Sequence, residues 1–161
     1  MNLRRTLLLA AALLALGAAN VSAQTSIGWG NLQWPPSVVD PACSSGEGFF
    51  GQVWMDGVTN FAGQGVGITA ELGFGPVGST PDGTWNWLPA TYNVDVGNND
   101  EYVVWATFYL PFGLYDYTFR YRYDGDPDWY YAAERGSAEF TAACGAVGAE
   151  TMTWSALKQA Y

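Results

Sequence analysis

The chain predicts an all-β domain, an immunoglobulin-like two-sheet antiparallel sandwich of seven to eight strands. Three observations carry that expectation. Aromatic residues make up 16% of the chain, and 20 glycines and 8 prolines punctuate it at short intervals. Apolar and polar residues alternate with a period of two in several short runs. No internal stretch holds a helical period for long enough to make a convincing helix.

Taken in order, Arg4 and Arg5 precede an apolar run from Leu7 to Leu16, and Val21-Ser22-Ala23 sets small residues where a signal peptidase reads. Residues 1–23 are therefore expected to be a secretory signal peptide, its apolar run too short to span a bilayer. No cysteine sits at the cleavage point, so no lipid anchor is expected. The domain then covers residues 24–144. Residues 145–161 form a C-terminal extension, read as an edge strand near Thr151–Trp154 or a short helix over Ser155–Tyr161.

Within the domain, strands are expected near Ile27–Trp34, Gly48–Asp56, Val66–Gly73, Thr84–Leu88, Glu101–Leu110, Leu114–Tyr123, Trp129–Ala133 and Glu139–Cys144. Alternation is clearest in the third, where Val66, Ile68, Ala70 and Leu72 share one face. Glu101–Leu110 is apolar on both faces, as befits a central strand. Pro111-Phe112-Gly113 reads as a tight reversal into the next strand, and Asp124–Asp128 as the turn after that. Three consecutive antiparallel strands follow from this reading. Tyr115, Tyr117, Phe119, Tyr121 and Tyr123 share a face, expected to be core, with some hydroxyls reaching the rim. An eight-stranded outer-membrane barrel has similar length, but too few strands here are long enough.

Without the two leader arginines, four basic residues (Arg120, Arg122, Arg135 and Lys158) stand against fifteen acids, a net charge of −11. Such a surface repels phosphate backbones and anionic lipids, so neither nucleic acid nor membrane insertion is expected. Two cysteines, Cys43 and Cys144, read as a disulfide in an exported chain. The bridge would close nearly the whole domain into a loop, worth about 4–5 kcal/mol in chain-entropy terms. Their spacing is far wider than that of the inter-sheet pair in antibody domains.

Histidine is absent. That removes Ser-His-Asp and Cys-His catalysis and the commonest ligand of transition metals. Carboxylate-only chemistry such as glycoside hydrolysis remains formally open. No acid is marked as buried beside an exposed one, however, and no cleft-forming segment is evident. The chain is read as not an enzyme.

Eight tryptophans are more than a small sandwich ordinarily buries. Trp85 and Trp87, two apart, project from one face of a short strand beside the polar loop 75–83. Two readings stand: they cover the core, or they form a platform on which a sugar ring stacks. With Trp129 and Trp34 they make up the candidate ligand-binding set. Two acidic loops are weak calcium candidates, through Asp95 and Asp100 in one and Asp124, Asp126 and Asp128 in the other. The second begins like an EF-hand loop but has Trp129 at the sixth position and Arg135 at the twelfth. Turn formation and solvated charge are the simpler account of both, and no cofactor is expected.

The segments I-G-W-G-N-L-Q-W-P-P (27–36), G-Q-G-V-G-I-T-A-E-L-G-F-G-P-V-G-S (63–79), W-N-W (85–87), A-T-Y-N-V-D-V-G-N-N-D-E-Y (90–102), G-L-Y-D-Y-T-F-R-Y-R-Y-D-G (113–125) and D-W-Y-Y-A (128–132) carry a resemblance. They resemble poorly characterised immunoglobulin-like modules of bacterial secreted and surface proteins, similar in outline to starch-binding-type carbohydrate-binding modules. The resemblance covers nearly the whole mature chain and implies a sandwich fold. After W-Y-Y-A the family tends to an acidic D-x-D-G, where this chain has Ala133-Glu134-Arg135-Gly136.

The expectation is a secreted or periplasmic, non-catalytic module that binds carbohydrate through exposed aromatic side chains. Its partner would be a polysaccharide. The alternative is a structural or adhesive cell-envelope protein whose aromatic patch meets another protein.

Overall fold

The computed structural model describes residues 26–40, 47–105 and 110–141. The expected signal peptide, the disulfide between Cys43 and Cys144 and the extension 145–161 all fall outside those residues.

Among the described residues ten strands form two sheets and there is no helix. The strands are β1 (Trp29–Gly30), β2 (Ser37–Val39), β3 (Gly48–Trp54), β4 (Ile68–Pro76), β5 (Asn86–Pro89), β6 (Thr91–Val96), β7 (Asn99–Trp105), β8 (Gly113–Tyr123), β9 (Tyr130–Tyr131) and β10 (Gly136–Phe140). One sheet has the order β1-β3-β7-β6; the other has β2-β10-β8-β4-β5, with β9 also paired to β8. The sandwich is as expected, with more and shorter strands. It is antiparallel except at one place, where β10 pairs with β2 in parallel.

One expected feature is corrected. β7 and β8 are not a hairpin: β7 lies between β3 and β6, and β8 lies between β10 and β4 in the other sheet. The chain therefore crosses between sheets around Pro111–Gly113. β8 and β9 do pair antiparallel, through Arg120 opposite Tyr131 and Tyr121 opposite Tyr130. β6 and β7 form the hairpin instead, closing Val96 on Asn99 across Gly97 and Asn98. Gly97 has φ 67°, a left-handed conformation that glycine adopts without a steric cost.

Alternation on β8 builds the core. Tyr117, Phe119 and Tyr121 are fully buried against Phe49, Val53, Leu72 and Phe74. Phe49 meets Phe74 and Tyr117 edge-on, with centroids 5.7 and 5.1 Å apart. Edge contacts of this kind add about 0.5–1.5 kcal/mol each beyond area burial. The tyrosine hydroxyls find internal partners. Tyr117 donates to the Pro35 carbonyl at 2.6 Å and Tyr121 to the Asn31 carbonyl at 2.8 Å. These bonds cross-link the two sheets and locate the irregular segment before β2. Burial raises the pKa of both hydroxyls, so neither ionises in the physiological range.

Candidate functional site

Three of the four candidate rings come together on the outer face of the larger sheet. Opposite the core face of β4 lie Glu71, Gly73 and Gly75; opposite that of β8 lie Arg120 and Arg122. The register sets Gly73 against Trp87 and Glu71 against Arg120. Glycine is needed here. A Cβ on Gly73 would fall 2.4 Å from the Trp87 ring, and one on Gly75 would fall 2.1 Å from Trp85. The indoles thus lie flat on bare backbone.

Trp85 stacks on Trp87, with centroids 5.9 Å apart and planes 21° from parallel. The Arg120 guanidinium sits 3.9 Å from Trp87 and 4.0 Å from Trp129. Arg122 covers Trp129 at 4.5 Å, and Arg135 lies 5.3 Å from Trp85. The same Arg120 donates two N–H groups to Glu71 Oε2, at 2.8 and 2.5 Å. Both indole N–H groups are bonded internally, Trp85 to Ser79 Oγ at 3.0 Å and Trp87 to the Asp82 carbonyl at 2.8 Å. The result is a continuous stack of rings and guanidiniums. Trp85 itself is 5% exposed. A sugar ring stacks on a free π face; Trp85 is buried, and Trp87 and Trp129 are half-buried with the Arg120 guanidinium over each ring.

Trp34 stands elsewhere, on the smaller sheet. Gln33 and Trp34 both donate backbone N–H groups to the Phe50 carbonyl, at 2.8 and 3.2 Å. Two residues opposite one is a β-bulge, and a cis Trp34-Pro35 bond follows it. Trp34 pairs with Phe50, so their side chains share the outer face of the sheet. Beyond Phe50 comes Trp105, edge-on with a 6.0 Å centroid separation. Trp34 is 57% exposed and Trp105 is 52% exposed. At the other end of the same face Trp29 pairs with Trp54.

Amides lie between these aromatic pairs. Asn99 Nδ2 donates to Gln52 Oε1 at 3.1 Å, and Gln52 Nε2 donates to Gln33 Oε1 at 2.9 Å. On the next strand Asn93 Nδ2 donates to Glu101 Oε1 at 2.6 Å. Glu101 is the cross-strand partner of Gln52, which joins the two sets into one row.

Three of the five calcium candidates, Asp95, Asp100 and Asp126, have their carboxylates bonded to protein groups. Asp95 accepts from the Tyr92 hydroxyl at 2.5 Å and the Gly63 N–H at 2.8 Å. These bonds lower its pKa, and the hydroxyl bond pushes Tyr92 up to about 12. Asp100 is fully buried and accepts the Gly65 N–H at 2.7 Å through Oδ2, leaving Oδ1 without a partner. Desolvation raises its pKa despite that bond. Asp126 accepts from the Ser26 backbone and hydroxyl, both at 2.7 Å. Among the described residues, no three acidic, cysteine or histidine side chains converge as a metal site would require.

Comparison with known proteins adds one relationship. The chain is similar to segments of three amylopullulanases. It is 36% identical to that of Thermoanaerobacterium saccharolyticum over 47% of this chain and 7% of the enzyme. It is 31% identical to that of Thermoanaerobacterium thermosulfurigenes over 52% of this chain and 5% of the enzyme. It is also 31% identical to that of Thermoanaerobacter thermohydrosulfuricus, over 51% and 7%. The chain thus spans only a small fraction of each enzyme's length. No family model matches it, and no solved structure does.

Phe50 and the amide row are not singled out by the sequence, and Trp105 stands there only as one of the eight tryptophans, outside the candidate ligand-binding set. The strand containing Phe50 and the one containing Trp105 are recognisable. Only their pairing across Gly48 and Trp105, together with the bulge at Gln33-Trp34, brings the rings beside Trp34.

Proposed function

We propose that this chain is an exported, non-catalytic module that binds carbohydrate through the aromatic cluster on the smaller sheet, with Trp34 and Trp105 stacking on sugar rings. The single observation that carries this reading is the pair of half-exposed indoles flanking Phe50 on one sheet face. Stacking needs an accessible π face, and these two rings present about half of their surface to solvent. The similarity to amylopullulanase segments supports a ligand of the starch or pullulan kind, the glucans for which those enzymes are named. Lack of histidine and the small share of each enzyme that is matched favour binding over catalysis. No helix among the described residues is long and apolar enough to cross a membrane.

Contact with an envelope protein has separate support. Val39, Val77 and Leu114, each more than 60% exposed, line a shallow cleft at the β2 edge.

Affinity electrophoresis of the mature protein through gels containing soluble starch or pullulan tests the carbohydrate reading. The wild type should be retarded. Trp34→Ala and Trp105→Ala should each weaken retention by about fivefold, roughly 1 kcal/mol per ring, without lowering the melting temperature. Migration of the wild type unchanged by every neutral polysaccharide, or retention indifferent to both substitutions, overturns it.

A further inference from the structure

Two features of the smaller sheet's outer face remain unexplained by core packing. The first is a row of neutral amides in two hydrogen-bonded sets, Gln33–Gln52–Asn99 and Asn93–Glu101, set side by side by the Gln52–Glu101 strand pairing and running from the bulge before β2 across β3, β7 and β6. A two-sided sandwich has no need of such a row, since an exposed sheet face is ordinarily satisfied by charged side chains in water. The second is charge. Every arginine among the described residues lies on β8 or in the segment before β10, on or beside the other sheet. No basic side chain stands on β1, β3, β6 or β7.

Resting on the proposed function, we propose that this row is the polar floor of the binding site, reading the hydroxyl groups of a neutral polysaccharide laid along β3. The aromatic pairs mark the ends of the track. Phe50 with Trp34 lies at one end and Trp54 with Trp29 at the other, four residues apart on β3, or about 13 Å at the strand's rise. That length suits several sugar units in succession. Along it the amides offer both N–H donors and C=O acceptors, as a hydroxyl requires.

The geometry also pre-orders the row. Gln52 is 8% exposed and bonded at both ends of its amide, so it cannot swing away. Gln33 has its Oε1 engaged by Gln52, which leaves its exposed Nε2 group turned outward as a donor. Asn93 is tied to Glu101, so its second N–H and the remaining Glu101 oxygen have fixed positions. Side chains locked in this way lose little rotamer freedom when a ligand arrives. With one carboxylate, no cation and an acidic protein behind it, the face repels uronates, sulfates and phosphates.

The probes are pullulan as the neutral chain and alginate as the anionic one, used with the mature protein. Gln33→Ala and Asn93→Ala alter exposed side chains and should leave the protein folded, with a modest drop in melting temperature because each unpairs one buried polar atom, on Gln52 or Glu101. Each should weaken retention in pullulan gels by about tenfold, the loss of one or two hydrogen bonds. Alginate should not retard the protein at low salt. If Trp34→Ala weakens retention but Gln33→Ala and Asn93→Ala do not, the polar floor is overturned and the aromatic site stands. Retention by alginate overturns the neutral-ligand assignment. If the wild type binds neither probe, both readings fail together.

Discussion

Arg120 is clamped between Trp87 and Trp129, its guanidinium 3.9 and 4.0 Å from the two ring centres, while its cross-strand partner Glu71 holds it by an ion pair. A planar cation serves three neighbours at once here. Lysine keeps the charge but has neither the flat faces nor the fork. Arg120→Lys should lower stability by about 1–2 kcal/mol, visible as a drop of roughly 3–10 °C in a thermal melt. An unchanged melting temperature would show that the stack is passive.

The same stack separates two roles for tryptophan. Trp87→Ala removes a ring lying on Gly73 and leaves Arg120 with one face bare. It should cost about 2–4 kcal/mol. Trp34→Ala removes a ring that is 57% exposed and should change stability by less than about 0.5 kcal/mol. Urea unfolding of the two variants checks the contrast. Equal losses would mean that Trp34 is part of the framework.

Asp40 and Thr141 are bound to each other at the end of the parallel β2–β10 pair. Thr141 donates its N–H at 2.6 Å and its hydroxyl to the Asp40 carboxylate, and the Asp40 N–H reaches the Glu139 carbonyl at 2.7 Å. Cys43 and Cys144 each follow three residues further along the chain. We expect the two to be bridged. Mass spectrometry of the non-reduced mature protein should then find no alkylatable thiol, and serine at either position should cost about 2–5 kcal/mol. Alkylation of both cysteines without reduction is the opposing result.

Asp95 and Asp100 should respond to acid in opposite ways. The folded-state pKa of Asp95 is lowered by the Tyr92 hydroxyl and the Gly63 N–H. Its contribution is present above the unfolded value of about 4 and is lost as pH falls through the folded value. The folded-state pKa of Asp100 is raised by burial. Its favourable share is present below the unfolded value and is lost as pH rises through the folded one. Asp100→Asn keeps an oxygen for the Gly65 N–H and removes the buried charge. Its stability at pH 7 should equal or exceed that of the wild type, with the advantage shrinking towards pH 4. Urea midpoints across that range give the answer, and a variant less stable at pH 7 than at pH 4 relative to wild type would contradict it.

Much of the sandwich was legible because alternation alone places Ile68, Ala70, Leu72 and the Tyr115–Tyr123 stripe on core faces, although Val66, read with the first three, lies before β4 and is 85% exposed. Pairing was not. Pro111-Phe112-Gly113 announces a reversal, but no local signal says whether the chain returns to the same sheet or crosses to the other. β6 escaped because the pairing slips between Tyr92 and Val94, which breaks its two-residue period. β2 is only three residues long and leans on a parallel partner 100 positions away. The candidate rings were found as residue types. Their neighbours were not, since Arg120 and Arg122 read in sequence as the solvated side of a strand. Only register places a guanidinium between two indoles.

The parallel pairing of β2 with β10 has a mechanical consequence. Tension applied through the chain's two ends pulls the leading side of β2 and the trailing side of β10 in opposite directions along one shared axis. Once the contacts of β1 and of the segment between β1 and β2 yield, the ladder is sheared lengthwise, and its bonds must rupture together instead of unzipping one by one. A strand pair loaded this way resists a steady drag far better than its few hydrogen bonds suggest.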